Sequence, residues 1–175
     1  MQYTIKSGVL YNETQKALAK MKSTLLGPQR KIHGITGELL MTADVRYLDD
    51  AKASSGDVRN REYILAGSES QLLGSARPGY ADGNDPDVAG WPICRMPIVD
   101  HAHVSIGETE YTLTMHNRQN YSLVDTNDSV VLRIMHKGIA GGWMVKSNCD
   151  FAPKMICGIF TFCRYIEQEN EFFIV

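Results

Sequence analysis

Two histidines separated by one residue form the pattern in this sequence that most suggests chemistry. His101 and His103 flank Ala102 in a run with the alternating character of a β-strand. Side chains at i and i+2 of a strand point to the same face, so both imidazoles could bind one metal ion. Asp100 or His116 could supply a third ligand. No fixed spacing supplies the rest of a coordination shell, and exposed or hydrogen-bonded strand histidines are the commoner explanation.

A second run, residues 82–87, is rich in carboxylates and could hold calcium. An EF-hand loop needs a glutamate at its twelfth position. Ile93 stands at that position, so the calcium interpretation fails. Asp, Asn, Gly and Pro are also the residues that turns favour, and turn formation explains the run.

No strong catalytic motif is present. Cys157 and Cys163 lie among apolar residues, where a thiol acts as a small hydrophobic side chain. Cys94, beside Arg95, is the better candidate for a nucleophile. The glycine-rich run 138–142 lacks the Lys-Ser/Thr of a phosphate-binding loop, and neither G-x-S-x-G nor H-E-x-x-H occurs. These absences favour a protein that is not an enzyme and uses no cofactor, with an enzyme kept as the alternative.

The bulk composition is that of an ordinary globular protein. The chain has 175 residues, of which 43% are hydrophobic and 22% charged, which predicts a single domain over residues 1–175 with a sizeable core. A net charge of −2 provides no general attraction to nucleic acid, and we expect no nucleic-acid partner.

The charge is unevenly distributed, however. Residues 1–33 contain Glu13 as their one acidic residue. Five basic side chains of this region could form a patch for an anionic partner: Lys16, Lys20, Lys22, Arg30 and Lys31. The alternative is an ordinary solvated face.

The cysteines and the two ends of the chain bear on location. No C-x-x-C pair occurs, and the N-terminus lacks the basic start and apolar run of a secretory leader. Free thiols and the missing leader predict a cytoplasmic protein. The apolar C-terminal stretch is too short to span a bilayer and is interrupted by polar residues, so no transmembrane segment is expected.

Local patterns predict the elements in the first half of the chain. Helix-forming residues over 12–22, with Asn12 as a possible N-cap, predict a short helix that ends before Gly27. Residues 32–48 have the pattern of strand broken at two glycines, and residues 62–67 and 71–74 that of short strands.

An irregular stretch, residues 77–91, is long enough to be either functional or mobile. Tyr80 and Trp91 are its candidate binding anchors, because aromatic side chains give large contact area. We expect the tip, residues 82–87, to be mobile if the stretch only connects two strands.

The second half predicts hairpins followed by one helix. Alternating runs over 101–115 and 121–134 form two hairpins, and residues 143–147 form another strand. Residues 153–166 are apolar almost all round, and a helix of that kind must be enclosed. Strands followed by one enclosed helix predict a barrel wrapped around its own C-terminus.

The run 121–134, the strand 143–145, Asp150 and the terminal apolar helix together resemble LURP-one-related and phospholipid-scramblase-like proteins. Both belong to the tubby C-terminal superfamily. The resemblance covers roughly residues 100–170 as a pattern of elements. It implies a mainly β fold, a closed twelve-stranded antiparallel barrel around a central hydrophobic helix, and it points to binding of a lipid or a partner.

We therefore hypothesise a non-enzymatic cytoplasmic binding module for anionic lipid headgroups or a protein partner. A barrel filled by a helix has no large internal pocket, so its function would lie on the outside. One alternative is a lipocalin-type barrel with the helix outside and the cavity open to a small molecule. Another is a metal-dependent enzyme that uses the face of His101 and His103.

Overall fold

The computed structural model describes residues 1–25, 27–48, 57–83, 98–117 and 119–171. In these residues the chain forms twelve strands and one α-helix, α1 (Pro153–Glu171). The strands are β1 (Gln2–Lys6), β2 (Val9–Asn12), β3 (Ala17–Ser23), β4 (Arg30–His33), β5 (Leu39–Tyr47), β6 (Arg61–Gly67), β7 (Leu72–Tyr80), β8 (Val99–Ile106), β9 (Thr109–Asn117), β10 (Asn120–Asp125), β11 (Val130–His136) and β12 (Trp143–Ser147). Short 3-10 turns occupy Val58–Asn60 and Gly138–Ala140.

The strands form one closed antiparallel barrel in which sequence neighbours are also spatial neighbours. The pairing of β1 with β12 closes the ring, with Tyr3 opposite Val145 and Ile5 opposite Trp143. Tyr3, Ile5 and Val145 are buried, as period-two alternation requires of the inward face. Closure leaves none of the twelve described strands with an unpaired edge.

The helix fills the barrel. All eight residues from Ile156 to Cys163 are buried, so this part of α1 has no exposed face. The helix contacts β3 to β6, β8 and β9, and Phe160 packs against Trp143 of β12. The predicted mainly β fold, a closed barrel around a C-terminal helix, is confirmed. A lipocalin-type arrangement needs this helix outside the barrel, and that is not its position.

Gly158 permits a close approach between the helix and the barrel wall. A Cβ atom at this position would lie 2.7 Å from Leu65 Cδ1 and 2.8 Å from Met41 Cε. Both side chains belong to the inner face of β5 and β6 and are fully buried. A glycine in a helix interior is normally unfavourable, and here the tight packing explains it.

We expect Gly158→Val to lower the free energy of unfolding by about 1–3 kcal/mol, the usual effect of overpacking a core. The gain in helix propensity is below about 1 kcal/mol and does not offset it. Chemical denaturation measures the difference, and Gly158→Ala should lose less because it adds only the Cβ atom. A Gly158→Val protein as stable as the unchanged chain would contradict the close packing.

The predicted helix over residues 12–22 is wrong. These residues form the end of β2, a turn and most of β3. Asn12 caps the turn instead of a helix, because its Oδ1 accepts hydrogen bonds from the backbone N–H of Thr14 and of Lys16, at 3.1 and 2.8 Å. Pairing of β3 with β2 and β4 overrides the local helix propensity.

Two further boundaries differ from the prediction. Residues 77–80 belong to β7 rather than to an irregular stretch, and residues 84–97 lie outside the described part of the chain. The helix continues five residues past the predicted end at Ile166. Asn170 anchors this extension, because its amide accepts from the N–H of Val99 at 3.0 Å and donates to the Val99 carbonyl at 2.8 Å.

Among the described residues, no helix is both long and apolar enough to cross a membrane.

Candidate functional site

Three lysines lie together on the outer surface of β3 and β4. Ala19 and Ile32 are fully buried on the inner side of these strands, so alternation turns Lys20, Lys22 and Lys31 outward. All three are exposed. Lys22 stands directly opposite Lys31 in the strand pairing. We call these three lysines the basic face.

The positive charge of the basic face is not neutralised within the described residues. None of its three lysines forms an ion pair there. Like charges directly opposite each other in a sheet destabilise it by a fraction of a kcal/mol. The face therefore concentrates positive charge at a small expense in stability.

The other two predicted cations lie elsewhere. Lys16 is exposed in the turn before β3. Arg30 stands opposite the buried Ala43 and therefore faces the inside of the barrel wall. Its guanidinium carbon is 6.0 Å from the centre of the Tyr165 ring, and burial lowers the pKa of Arg30. The structure thus brings three of the five predicted residues together and separates Arg30 from them.

Tyr80, a predicted binding anchor, has a structural role. Its hydroxyl donates to Asp57 Oδ1 and accepts from the backbone N–H of Val58, each at 3.2 Å. Arg59 lies over the ring at 5.7 Å. Burial opposes ionisation of Asp57, but hydrogen bonds from Arg59 and Tyr80 keep its pKa below the ordinary value. Trp91, the other predicted anchor, lies outside the described residues.

The two strand histidines share the outer face of β8, as predicted. The ring centres of His101 and His103 are 5.5 Å apart, and Asp100 Oδ1 lies 2.7 Å from His101 Nδ1. His116, the possible third ligand, has its Nε2 2.8 Å from Ser122 Oγ. Within the described residues, no group of three or more metal-ligating side chains comes together.

The helix cysteines do not have the properties of nucleophiles. Cys157 and Cys163 are fully buried. Burial raises the pKa of Cys157 to about 12 and also raises the pKa of Cys163. The reactive thiolate form is therefore disfavoured at neutral pH. Cys94, the third candidate, lies outside the described residues.

Sequence reasoning missed a cleft where the helix leaves the barrel. Its volume is about 520 Å³, and Tyr47, Arg61, Tyr165 and Glu169 are among its lining residues. Arg61 forms an ion pair with Glu169 and lies over the Tyr47 ring at 5.8 Å. The hydroxyl of Tyr63 donates to Glu169 at 3.3 Å.

Burial dominates the electrostatics of this cleft. It raises the pKa of Glu169, and the positive charge of Arg61 opposes that rise. In the sequence Glu169 is one of three alternating carboxylates, with Glu167 and Glu171, near the end of an apolar helix, and nothing distinguishes it from the other two. Its partner Arg61 is 108 positions away in the chain, so no local pattern could join them.

The fold and surface define a closed antiparallel barrel around a central helix, with a basic outer face and a polar cleft at one end. Comparison with protein-family models, with curated proteins and with solved structures finds no match to this chain. Function is therefore inferred from the described surface.

Proposed function

We propose that this protein is a non-enzymatic binding module whose basic face binds anionic phospholipid headgroups. The observation that carries the proposal is the placement of Lys22 directly opposite Lys31, with Lys20 on the same surface and no carboxylate paired to any of them among the described residues. A cross-strand pair of like charges becomes favourable when a polyanionic surface lies over it.

The expected free energy of binding to an anionic membrane suits reversible association. A basic residue near an anionic membrane surface contributes about 1 kcal/mol. The three lysines of the basic face would then supply about 3 kcal/mol. Lys6 adds to the same surface, because it lies opposite Val9 and Val9 lies opposite Lys20. Binding of this strength depends on salt, since exposed charges are screened over about 8 Å at physiological ionic strength.

The assignment to the tubby C-terminal superfamily belongs to this proposal. The twelve-stranded closed barrel and its central helix are the architecture that the resemblance implies, and this agreement supports the assignment. A cytoplasmic location is proposed with it, because the cytoplasmic leaflet carries the negative surface potential that a basic face requires.

A charge-reversal pair with a matched control tests the proposal. Lys22→Glu with Lys31→Glu should abolish sedimentation with phosphatidylserine vesicles at about 0.05 M salt, where screening is weak. The control is Arg133→Glu with Lys146→Glu. These two residues are also exposed and opposite each other, but uncharged Ser122 and Gln2 flank them across the sheet. Both variants change the net charge equally.

We expect the control variant to sediment like the unchanged protein. An equal loss in both variants would point to general charge attraction and would overturn the assignment to the basic face. Equal retention on neutral vesicles, or no retention on either kind, would also overturn it. In either case, an ordinary solvated face or a site for a protein partner would be the explanation of the lysines.

A further inference from the structure

We propose that His101 and His103 form a surface site for a divalent transition metal, with Asp100 as a positioning residue. The two imidazoles lie on the outer face of β8 at adjacent same-side positions. The side chain of His101 is 28% exposed and His103 is exposed. An ion can therefore reach both rings from solvent.

The spacing of the rings fits a shared ion. Zn²⁺ lies about 2.0–2.1 Å from an imidazole nitrogen, which places the centres of two rings on one ion roughly 4.5–5.5 Å apart. The observed separation is 5.5 Å, with an angle of 75° between the ring planes. We expect rotation of the exposed His103 side chain to bring one of its nitrogens onto an ion held by His101, whose own ring stays in place.

Asp100 defines which nitrogen of His101 is available. Its Oδ1 lies 2.7 Å from His101 Nδ1. A carboxylate can only accept a hydrogen bond, so Nδ1 carries the proton and the neutral ring has its lone pair on Nε2. Metal-ligating histidines commonly donate their other ring N–H to a carboxylate in this way, which holds the ring in one orientation.

The neighbouring strand leaves room for this ring. Gly79 of β7 stands opposite His101, and a Cβ atom at Gly79 would lie 2.3 Å from His101 Nε2. The imidazole thus occupies space that any other residue would fill. Arg77 stands opposite His103, and its Nε lies 3.7 Å from a carboxylate oxygen of Glu62, which offsets its repulsion of a cation.

The ligand chemistry selects the class of metal. Imidazole suits Ni²⁺, Cu²⁺ and Zn²⁺, with Cu²⁺ bound most tightly, whereas Ca²⁺ and Mg²⁺ prefer oxygen ligands. The described residues contribute two imidazoles and no third ligand, so water would complete the shell. The site would therefore exchange its metal freely.

Calorimetric titration of the tag-free protein with NiCl₂ tests the proposal. His103→Ala and His101→Ala should each weaken Ni²⁺ binding by about 10- to 100-fold, because one imidazole remains. Asp100→Asn should weaken it by about 10-fold without removing a ligand, as loss of an orienting partner does. Gly79→Ala should also weaken it, since the added methyl group displaces the His101 ring.

His33→Ala is the matched control. His33 lies on β4, and its Nδ1 is 3.1 Å from the Gly37 carbonyl oxygen, so its removal should leave Ni²⁺ binding unchanged. With Cu²⁺, the electron paramagnetic resonance spectrum of the unchanged protein should show two coupled nitrogens. A spectrum with one nitrogen, or Ni²⁺ binding unchanged in His101→Ala and His103→Ala, would overturn the site. Thermal unfolding of each variant verifies that the barrel is retained.

Discussion

Phe160→Ala is expected to lower the free energy of unfolding by about 3–5 kcal/mol, the range for removing an aromatic side chain from a core. Phe160 is 6% exposed at the centre of the helix. Its ring centre lies 4.9 Å from that of Trp143 on the barrel wall. The barrel encloses this position, so the wall cannot collapse easily into the space left by the ring. Chemical denaturation with linear extrapolation measures the loss.

Ile139→Ala is the control for this prediction. Ile139 is fully exposed in the turn before β12, and substitutions at such positions usually change stability by less than about 0.5 kcal/mol. A loss below about 1 kcal/mol for Phe160→Ala would be incompatible with a helix that forms the centre of the core.

Glu169→Ala is also expected to lower the free energy of unfolding by about 3–5 kcal/mol, because it leaves the guanidinium of Arg61 without its carboxylate. Glu169 is 6% exposed, and the side chain of Arg61 is 21% exposed. Tyr63 would lose its hydrogen-bond acceptor in the same variant. The unfolding free energy of Glu169→Ala, compared with that of the unchanged protein, gives the effect.

Two further variants separate the contribution of the Arg61–Glu169 ion pair to stability from the effects of other changes at this end of α1. Glu171→Ala removes an exposed carboxylate from the same end of α1 and should change stability by less than about 0.5 kcal/mol. Arg61→Met combined with Glu169→Leu should be much less destabilising than Glu169→Ala, because apolar replacement of a whole buried pair is often neutral. If Glu169→Ala lost no more than Glu171→Ala, the pair would have no role in holding the helix end.

Local sequence patterns were sufficient to predict the strands and the helix in the second half of the chain. Alternation over residues 101–115 and 121–134 predicts the strand pairs that the structure contains. The apolar character of residues 153–166 on every side requires an enclosed helix, and α1 is enclosed. These predictions succeed because each rests on one strong periodic signal within a short stretch of chain.

The same reasoning failed at residues 12–22, where a weak helix propensity competed with strand pairing. Ala17 and Leu18 suit a helix, but β3 gains cross-strand partners on both sides. Those partners lie in other segments, and their contribution cannot be read from the local run. The alternation of buried Ala19 with exposed Lys20 and Lys22 then becomes visible as strand.

Which side chains meet on the outer surface also depends on how the strands pair, and the local sequence does not show that pairing. Composition alone indicated a cluster of five cations, but alternation on β4 sends Arg30 to the inside and Lys31 to the outside. His101 and His103 are two residues apart on one strand, so their shared face could be predicted. Gly79 and Arg61 acquire their roles from strands that pair or pack across the barrel. Contacts between segments distant in the chain arise from barrel closure, and no local spacing encodes them.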